Sequence, residues 1–255
     1  MPSIRLTPTI KALVIAIFAT FVIQQTADQF FGANLLGWLA LIPSAVVIDH
    51  RIWQLFTYAF LHGDVMHLFL NLMMLVFIGT ELETAWGRAR FLRYYFFCSL
   101  SAGALYLILQ LFVWKGNGLN TPMVGASGAI YGLLMAYGLI FGERVMLFMM
   151  LFPMKAKHFV WILAGIEFMT TVFSARGGLA SAAHLGGMIA GFGYLWVRAS
   201  ISVAKKRSKT GKVDLFGFKS KKKSKAKSHL KLVIDNERED ARVDDGAGHD
   251  PKTWH

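Results

Sequence analysis

The sequence contains a single cysteine and few charged residues. Cys98 is the only cysteine among 255 residues, which excludes an intramolecular disulfide and a cysteine-based metal site. Charged residues make up 16% of the chain, whereas they make up about 25% of soluble globular domains. The eight histidines form no H-E-x-x-H pair, the zinc-binding pattern of many metalloproteases. A cytosolic globular enzyme and a metalloprotease are therefore disfavoured, and the sequence predicts no metal and no other cofactor.

Apolar residues, by contrast, are abundant. Hydrophobic residues make up 55% of the chain and aromatic residues 14%, and the mean hydropathy is +0.47. This composition excludes intrinsic disorder over most of the chain, because disordered segments are poor in apolar residues. The length fits one domain or at most two. Together these features indicate a multi-pass membrane protein.

Six apolar runs suit membrane-spanning helices, which need roughly 20 mostly apolar residues. They are Ile10–Gln25, His62–Leu82, Phe91–Trp114, Ser127–Gly142, His158–Phe173 and Ala180–Val203. Thr26–Leu61 is broken by glycine and proline, and it predicts interfacial helices and turns. Glu143–Lys157 contains a proline and two lysines near its end, which favours a re-entrant or extended connector over a seventh span. A signal peptide is the alternative for the first run, but no small-x-small cleavage site follows it.

The positive charge is unevenly placed. The net charge of +12 divides into +5 for residues 1–201 and +7 for residues 202–255. Within the first part, most basic residues fall on one side of the predicted spans, and the positive-inside rule places that side in the cytoplasm. Six spans with both termini cytoplasmic satisfy the rule. We therefore expect a membrane domain over residues 1–203 and a cytoplasmic tail over residues 204–255.

The tail is basic first and acidic afterwards. Lys205–Lys231 contains twelve Lys or Arg residues, which is compatible with nucleic-acid binding. Attraction to anionic lipid is favoured instead, because a basic residue near such a surface gains about 1 kcal/mol. We therefore expect membrane lipid as a partner and no nucleic acid. Asp235–Asp250 predicts a solvated, disordered end, and the sequence carries no signal for an oligomeric state.

Polar residues within the apolar runs form three motifs. His67 and Asn71 lie four residues apart on one helix face, either as an interhelical hydrogen-bonding pair or as part of a site. Ser127 stands near glycines at a loop-to-helix junction, which suits an exposed nucleophile or a small-residue packing stripe. His184 shares a helix face with Gly187, which suits a buried histidine on a packing face or a base within reach of another helix.

Taken together, the motifs suggest nucleophilic catalysis. A serine hydroxyl is a weak nucleophile and needs an adjacent base, which His184 supplies if the fourth and sixth spans pack together. His67, Asn71 and a backbone amide would then hydrogen-bond an oxyanion. The acidic residues of the spans fall near span ends or away from these motifs, and they are Glu81, Glu83 and Glu167. The motifs therefore predict a Ser–His dyad without a carboxylate.

The order of these motifs resembles that of a known family. Along the chain they read His62-x4-His67-x3-Asn71, Gly79-x3-Glu83, Gly125-x-Ser127-Gly128 with Tyr131, and Ala183-His184-x2-Gly187-x3-Gly191. Over about Trp53–Val197 they resemble the rhomboid family of intramembrane serine proteases. The resemblance implies an all-α, polytopic membrane protein, a six-transmembrane-helix rhomboid-like bundle of the bacterial type.

The resemblance also implies roles for individual residues. Ser127 would be the nucleophile and His184 the general base, and the oxyanion hole would combine the side chains of His67 and Asn71 with the Ser127 amide. Supporting roles would fall to Gly125, Gly128, Tyr131, Gly187 and Glu83. Among these, Tyr131 would stack near His184, Gly187 would permit close packing of the fourth and sixth spans, and Glu83 would be structural. The loop Ser174–Ala182 and the fifth span would form a substrate gate.

The implied function is that of a serine endopeptidase that cleaves transmembrane segments of other membrane proteins near the outer face. An inactive rhomboid-like binding protein is an alternative, but Ser127 and His184 are both present. A small transporter or channel is another, but the sequence shows no inverted repeat. Gln54 departs from the family, which often has Arg there, and removes a charge from a structural loop. The compact form resembles bacterial members and predicts a bacterial plasma membrane.

Overall fold

The computed structural model describes residues 6–114, 118–148, 152–174 and 178–209. In chain order the elements are α1 (Pro8–Phe31), α2 (Leu35–Leu39), α3 (Pro43–Val47), α4 (Gln54–Thr57), α5 (Val65–Met74), α6 (Thr80–Trp86), α7 (Arg88–Phe112), α8 (Ser127–Ile140), β1 (Val145–Phe148), β2 (Phe152–Lys155), α9 (Ala156–Phe173) and α10 (Gly178–Lys209). A 3₁₀ turn (Tyr58–Phe60) follows α4, and a π-helical turn (Leu75–Gly79) joins α5 to α6.

Among the described residues, five helical stretches are long and apolar enough to cross a membrane. They are α1, the continuous stretch Val65–Trp86, α7, α9 and the Gly178–Ala204 part of α10. The shorter α8 is a sixth apolar helix. Each of the six predicted runs falls largely on one of these helices. The prediction of a polytopic all-α bundle is thereby confirmed.

Helix α1 continues past its predicted end at Gln25. Three of the six added residues are polar (Thr26, Asp28 and Gln29), and α1 ends only at Gly32, whose φ of 61° lies in the left-handed region that favours glycine. Asp28 lies in this extension, and its carboxylate accepts hydrogen bonds from the backbone N–H groups of Leu35 and Leu36. The end of α1 is therefore tied to the start of α2.

The helices and turns predicted for Thr26–Leu61 are present as the short helices α2, α3 and α4. Their position at the membrane interface stays a prediction. Gln54, the departure from the family, is fully buried in this loop. Its side chain accepts the Ile42 N–H at 3.0 Å. It also donates to the carbonyls of Gly37 and Trp38, each at 3.3 Å. An uncharged amide therefore holds this loop together by three backbone contacts.

Polar contacts secure both ends of the stretch Val65–Trp86. Asp64 caps its start by accepting the His67 N–H at 2.8 Å. Near the other end, the buried Glu83 carboxylate accepts a hydrogen bond from the Thr7 hydroxyl, which lies just before α1. Glu83 therefore joins the start of α1 to α6.

Helix α8 packs against α7 and α10 through glycines. A methyl group at Gly132 would overlap the Cys98 side chain of α7. A methyl group at Gly187 of α10 would overlap the Gly128 carbonyl oxygen of α8. Tyr94 of α7 donates to the Gly132 carbonyl at 2.7 Å. Small residues allow this close backbone approach, which brings the start of α8 beside α10.

The strands β1 and β2 form an antiparallel hairpin, in which Val145 lies opposite Lys155. This confirms the extended connector predicted for Glu143–Lys157. At its base, Glu143 pairs with Lys155 at 2.8 Å and with Lys157. These hydrogen bonds lower the pKa of Glu143 to about 2.

The chain divides into a unit Met1–Gly211 and a unit Lys212–His255. All the elements above belong to the first unit. The second unit lies outside the described residues, and so do the predicted acidic end and most of the predicted basic segment.

Candidate active site

Ser127 is the first residue of α8, and the loop before it is held by backbone contacts. Gly125 adopts a φ of 118°, which a residue with a side chain rarely adopts. Its N–H donates to the Tyr58 carbonyl at 3.0 Å, and a bridge joins Leu41 to Met123 just before it. The first N–H groups of any α-helix lack an intrahelical partner, and no side chain caps those of α8 at Ala126.

His184 of α10 lies directly opposite this serine. Its Nε2 atom is 2.8 Å from the Ser127 Oγ atom, although the two residues are 57 positions apart in the chain. The overlap that a methyl group at Gly187 would make with Gly128 shows how closely α8 and α10 approach here. The glycine contact one turn after His184 therefore lies where α10 comes close enough to α8 for the hydroxyl and the imidazole to meet.

Tyr131 stacks on the imidazole. It lies one turn after Ser127 on α8, its ring centroid is 4.3 Å from that of His184, and the two rings are 6° from parallel. Both rings carry a polar atom that approaches Glu167 of α9. The stack restricts the plane in which the imidazole can lie.

Glu167 corrects a prediction. The expectation that all acidic residues of the spans lie away from the motifs is wrong for Glu167, whose Oε1 atom is 2.9 Å from His184 Nδ1. The same oxygen accepts a hydrogen bond from the Tyr131 hydroxyl. The prediction failed because Glu167 belongs to no recognised motif. A signal was present, since an ionisable residue within a membrane span is by default a candidate for function.

His67 and Asn71, the predicted oxyanion donors, occupy different positions. The His67 ring packs against Gly125 and faces the same cavity as Ser127. Asn71 is buried, and its amide donates to the His67 carbonyl at 2.8 Å. Asn71 is not among the described residues that line the cavity. In this structure His67 reaches the cavity and Asn71 supports the helix turn behind it.

His62 lies behind His67, outside the helical stretch that begins at Val65. Its ring is fully buried and meets the His67 ring edge-on, with centroids 5.0 Å apart. The pKa of His62 is lowered to about 4, mainly because the ring is buried and secondly because His67 lies beside it. His62 is therefore a neutral ring at neutral pH.

An open cavity of about 400 Å³ lies above the serine and the imidazole. Its walls come from the loop before α8, from the starts of α8 and α10, and from α5 and α7. The lining residues include Tyr58, His67, Ala102, Met123, Gly125, Ser127, Ala180 and His184. The cavity gives a reacting group access to the hydroxyl and to the N-terminus of α8. Among the described residues, no cluster of His, Cys, Asp and Glu is arranged to hold a metal ion.

Comparison with known proteins identifies a matching domain. A family model described as "Rhomboid domain" matches residues 49–201. RHOMBOID-like protein 1 of Arabidopsis thaliana is 35% identical over 156 residues, which cover 60% of this chain and 36% of that protein. Rhomboid protein 1, mitochondrial, of Saccharomyces cerevisiae is 31% identical over 59% of this chain and 43% of that protein.

A bacterial relative and an inactive one also match. Rhomboid protease GlpG of Yersinia pseudotuberculosis is 29% identical over 73% of this chain and 60% of that protein. Inactive RHOMBOID-like protein 8 of Arabidopsis thaliana is 31% identical over 39% of this chain and 24% of that protein. The chain spans less than half the length of RHOMBOID-like protein 1 and of the yeast protein.

Proposed function

Because this chain belongs to the rhomboid family of integral membrane proteins, whose members are generally intramembrane serine proteases, we propose that it is an intramembrane serine endopeptidase. Its substrates are transmembrane segments of other membrane proteins. One observation carries the proposal, namely the 2.8 Å contact between Ser127 Oγ and His184 Nε2 at the floor of an open cavity. A serine and an imidazole at hydrogen-bond distance form the nucleophile and base of acyl transfer.

In the first step, Ser127 Oγ attacks the carbonyl carbon of the scissile peptide bond while His184 Nε2 accepts the hydroxyl proton. The C–O π electrons move to the oxygen and form an oxyanion. When this intermediate collapses, the C–N bond breaks, and His184 returns the proton to the departing amine. The products are an amine and an ester between the substrate acyl group and Ser127.

In the second step, a water molecule replaces the amine. His184 takes a proton from the water, and the resulting hydroxide attacks the ester carbon. Collapse of the second intermediate breaks the bond to Ser127 Oγ, which regains its proton from His184. The carboxylic acid product leaves, and both side chains return to their starting states.

The oxyanion needs hydrogen-bond donors that are already in place. Supporting this role, the Ser127 N–H lies at the uncapped N-terminus of α8, where the helix dipole also favours negative charge. The His67 ring lies against Gly125, on the same cavity wall. In the proposed oxyanion hole these two groups donate directly. Asn71 joins them if its amide leaves the His67 carbonyl when substrate binds.

The proposed orientation places both termini in the cytoplasm of a bacterial plasma membrane, with the basic tail against anionic lipid. The start of α8 then faces the outer side. With 14 residues at about 1.5 Å each, α8 spans roughly 21 Å, less than the roughly 30 Å of the hydrocarbon layer. Ser127 therefore lies below the outer surface, within reach of water that enters the cavity.

The substrate segment must unfold locally, because a peptide carbonyl within a helix is already hydrogen-bonded. Glycine and proline near the scissile bond weaken a helix by about 1 and 3 kcal/mol respectively. Segments that contain them near the outer face are the preferred substrates in this proposal.

Cleavage by the purified protein tests the proposal. The protein is reconstituted in vesicles with a labelled single-span substrate, and Ser127→Ala and His184→Ala are compared with the matched controls Ser101→Ala of α7 and His158→Ala of α9. We expect cleavage by the wild type and both controls, and a loss of at least about 10³-fold in the two site variants. Cleavage that survives Ser127→Ala would exclude this serine as the nucleophile. A wild type that binds the substrate without cleaving it would instead indicate an inactive, helix-binding member of the family.

A further inference from the structure

We propose that Glu167 positions His184, so that a buried carboxylate supports the base of the Ser–His pair in this site. This inference rests on the proposed protease function and concerns a residue that none of the recognised motifs contains. Glu167 acts through the imidazole and does not touch the substrate, so it is a positioning residue. It is contributed by α9, whereas Ser127 and His184 come from α8 and α10.

The three side chains form a continuous chain of contacts. Glu167 Oε1 lies 2.9 Å from His184 Nδ1, and His184 Nε2 lies 2.8 Å from Ser127 Oγ. The carboxylate and the hydroxyl therefore contact different nitrogen atoms of the same ring. This is the arrangement in which a carboxylate orients the general base of a serine hydrolase.

The contact with Glu167 selects the tautomer of the imidazole. An ionised carboxylate accepts hydrogen bonds and donates none, so the nitrogen that faces it, Nδ1, must carry the proton. In a neutral ring Nε2 is then unprotonated, and its lone pair points at the Ser127 hydroxyl. Only this tautomer can accept the serine proton.

The Glu167 carboxylate is held in place by its burial and by a second hydrogen bond. Glu167 is 7% exposed, and a buried carboxylate must be satisfied by hydrogen bonds. The hydroxyl of Tyr131 donates to the same oxygen, Oε1, that faces His184. The rings of Tyr131 and His184 are stacked and nearly parallel. The same carboxylate oxygen therefore contacts the hydroxyl of one ring and a nitrogen atom of the other. Both the position and the plane of the imidazole are thereby set.

The chain offers a matched control for this contact. Glu81 of α6 accepts a hydrogen bond from the hydroxyl of Tyr137, a second tyrosine of α8, at 3.1 Å. Glu81 also pairs with Arg144 and has no contact with His184. Glu81→Gln therefore removes a carboxylate that bonds a tyrosine of the same helix and leaves the base untouched.

The experiment compares wild type, Glu167→Gln, Glu167→Asp and Glu81→Gln in vesicles, with kcat, KM and the thermal unfolding midpoint measured for each. Positioning predicts that Glu167→Gln lowers kcat by about 10²-fold with little change in KM. Glu167→Asp should recover part of kcat, because it keeps the charge. Glu81→Gln should retain the wild-type kcat.

A second readout separates positioning from a structural tie between helices. The rate of labelling by a fluorophosphonate depends on activation of Ser127 and needs no transmembrane substrate. If Glu167 acts only through the imidazole, Glu167→Gln should slow labelling in the wild-type background and have no further effect in a His184→Ala background. An equal slowing in both backgrounds would show a structural role and overturn the proposal.

The outcomes distinguish this proposal from the proposed function. If the wild type cleaves substrate and both Glu167 variants cleave at the wild-type kcat, Glu167 has no positioning role while the protease function stands. If the wild type neither cleaves nor labels, the proposed function itself fails. If Glu167→Gln does not fold, Glu167→Asp decides, since an unchanged kcat in a folded Glu167→Asp contradicts positioning.

Discussion

The close contact between α8 and α10 predicts that one methyl group added at Gly187 breaks the hydrogen bond between Ser127 and His184. In Gly187→Ala, the new Cβ atom would overlap the backbone carbonyl oxygen of Gly128. A backbone atom cannot rotate away as a flexible side chain can, so α10 must move from α8 by about 1 Å before normal van der Waals contact is restored. His184 lies one turn away on the same helix and moves with it.

The expected magnitude follows from this displacement. The distance from Ser127 Oγ to His184 Nε2 is 2.8 Å, and a shift of about 1 Å carries it beyond the roughly 3.0 Å limit of an O–H hydrogen bond. A misplacement of this size can cost about 10²-fold in rate. Overpacking of a close contact also costs about 1–3 kcal/mol of stability.

The assay is cleavage of a labelled single-span substrate in vesicles, with thermal unfolding measured in parallel. Gly193→Ala is the matched control, because it lies on the same helix and a methyl group there meets open space. We expect Gly193→Ala to retain wild-type cleavage and Gly187→Ala to lose about 10²-fold at a temperature where both remain folded. If the two variants cleave equally, the glycine contact does not set the geometry of the site.

Two further predictions concern stability. Gln54→Leu should lower the free energy of unfolding by about 1–3 kcal/mol, because it leaves the partly buried Ile42 N–H without its side-chain acceptor. Chemical unfolding in detergent measures this change, and an unchanged unfolding midpoint would contradict it. The folded-state pKa of His62 is lowered to about 4 from about 6.5, so the unfolded chain binds more protons between these values, and stability should fall as the pH drops from 6.5 towards 4. His62→Leu should reduce this pH dependence and the exposed control His158→Leu should not, as unfolding midpoints at several pH values would show.

The sequence could predict the helices and two of the three polar side chains at the centre of the site. Apolar runs and their basic flanks are local features, so each of the six predicted spans coincides largely with a helix. The predicted first span stops at Gln25 because Thr26, Asp28 and Gln29 interrupt the apolar run, although no glycine or proline lies between Gln25 and Gly32. Hydropathy alone does not separate a helix end that contains polar residues from a loop.

Glu167 shows what a search by motifs leaves out. Its partners Tyr131 and His184 lie 36 and 17 residues away, on two other helices. No spacing rule along one helix can reveal a contact among three, whereas packing of α8, α9 and α10 brings the side chains together. Asn71 shows a different limit, because the motif singled out the residue but did not reveal that its amide bonds to the His67 carbonyl.

The most direct test of the central claim is to locate the covalent adduct of a fluorophosphonate on the folded protein by peptide mass spectrometry. Attack by an activated serine displaces fluoride from phosphorus and leaves a stable phosphonyl ester on the nucleophile. The account predicts one adduct, on Ser127, whose formation is abolished by Ser127→Ala and strongly slowed by His184→Ala. An adduct on another serine, or labelling that persists at the wild-type rate without His184, would contradict the assignment of this site.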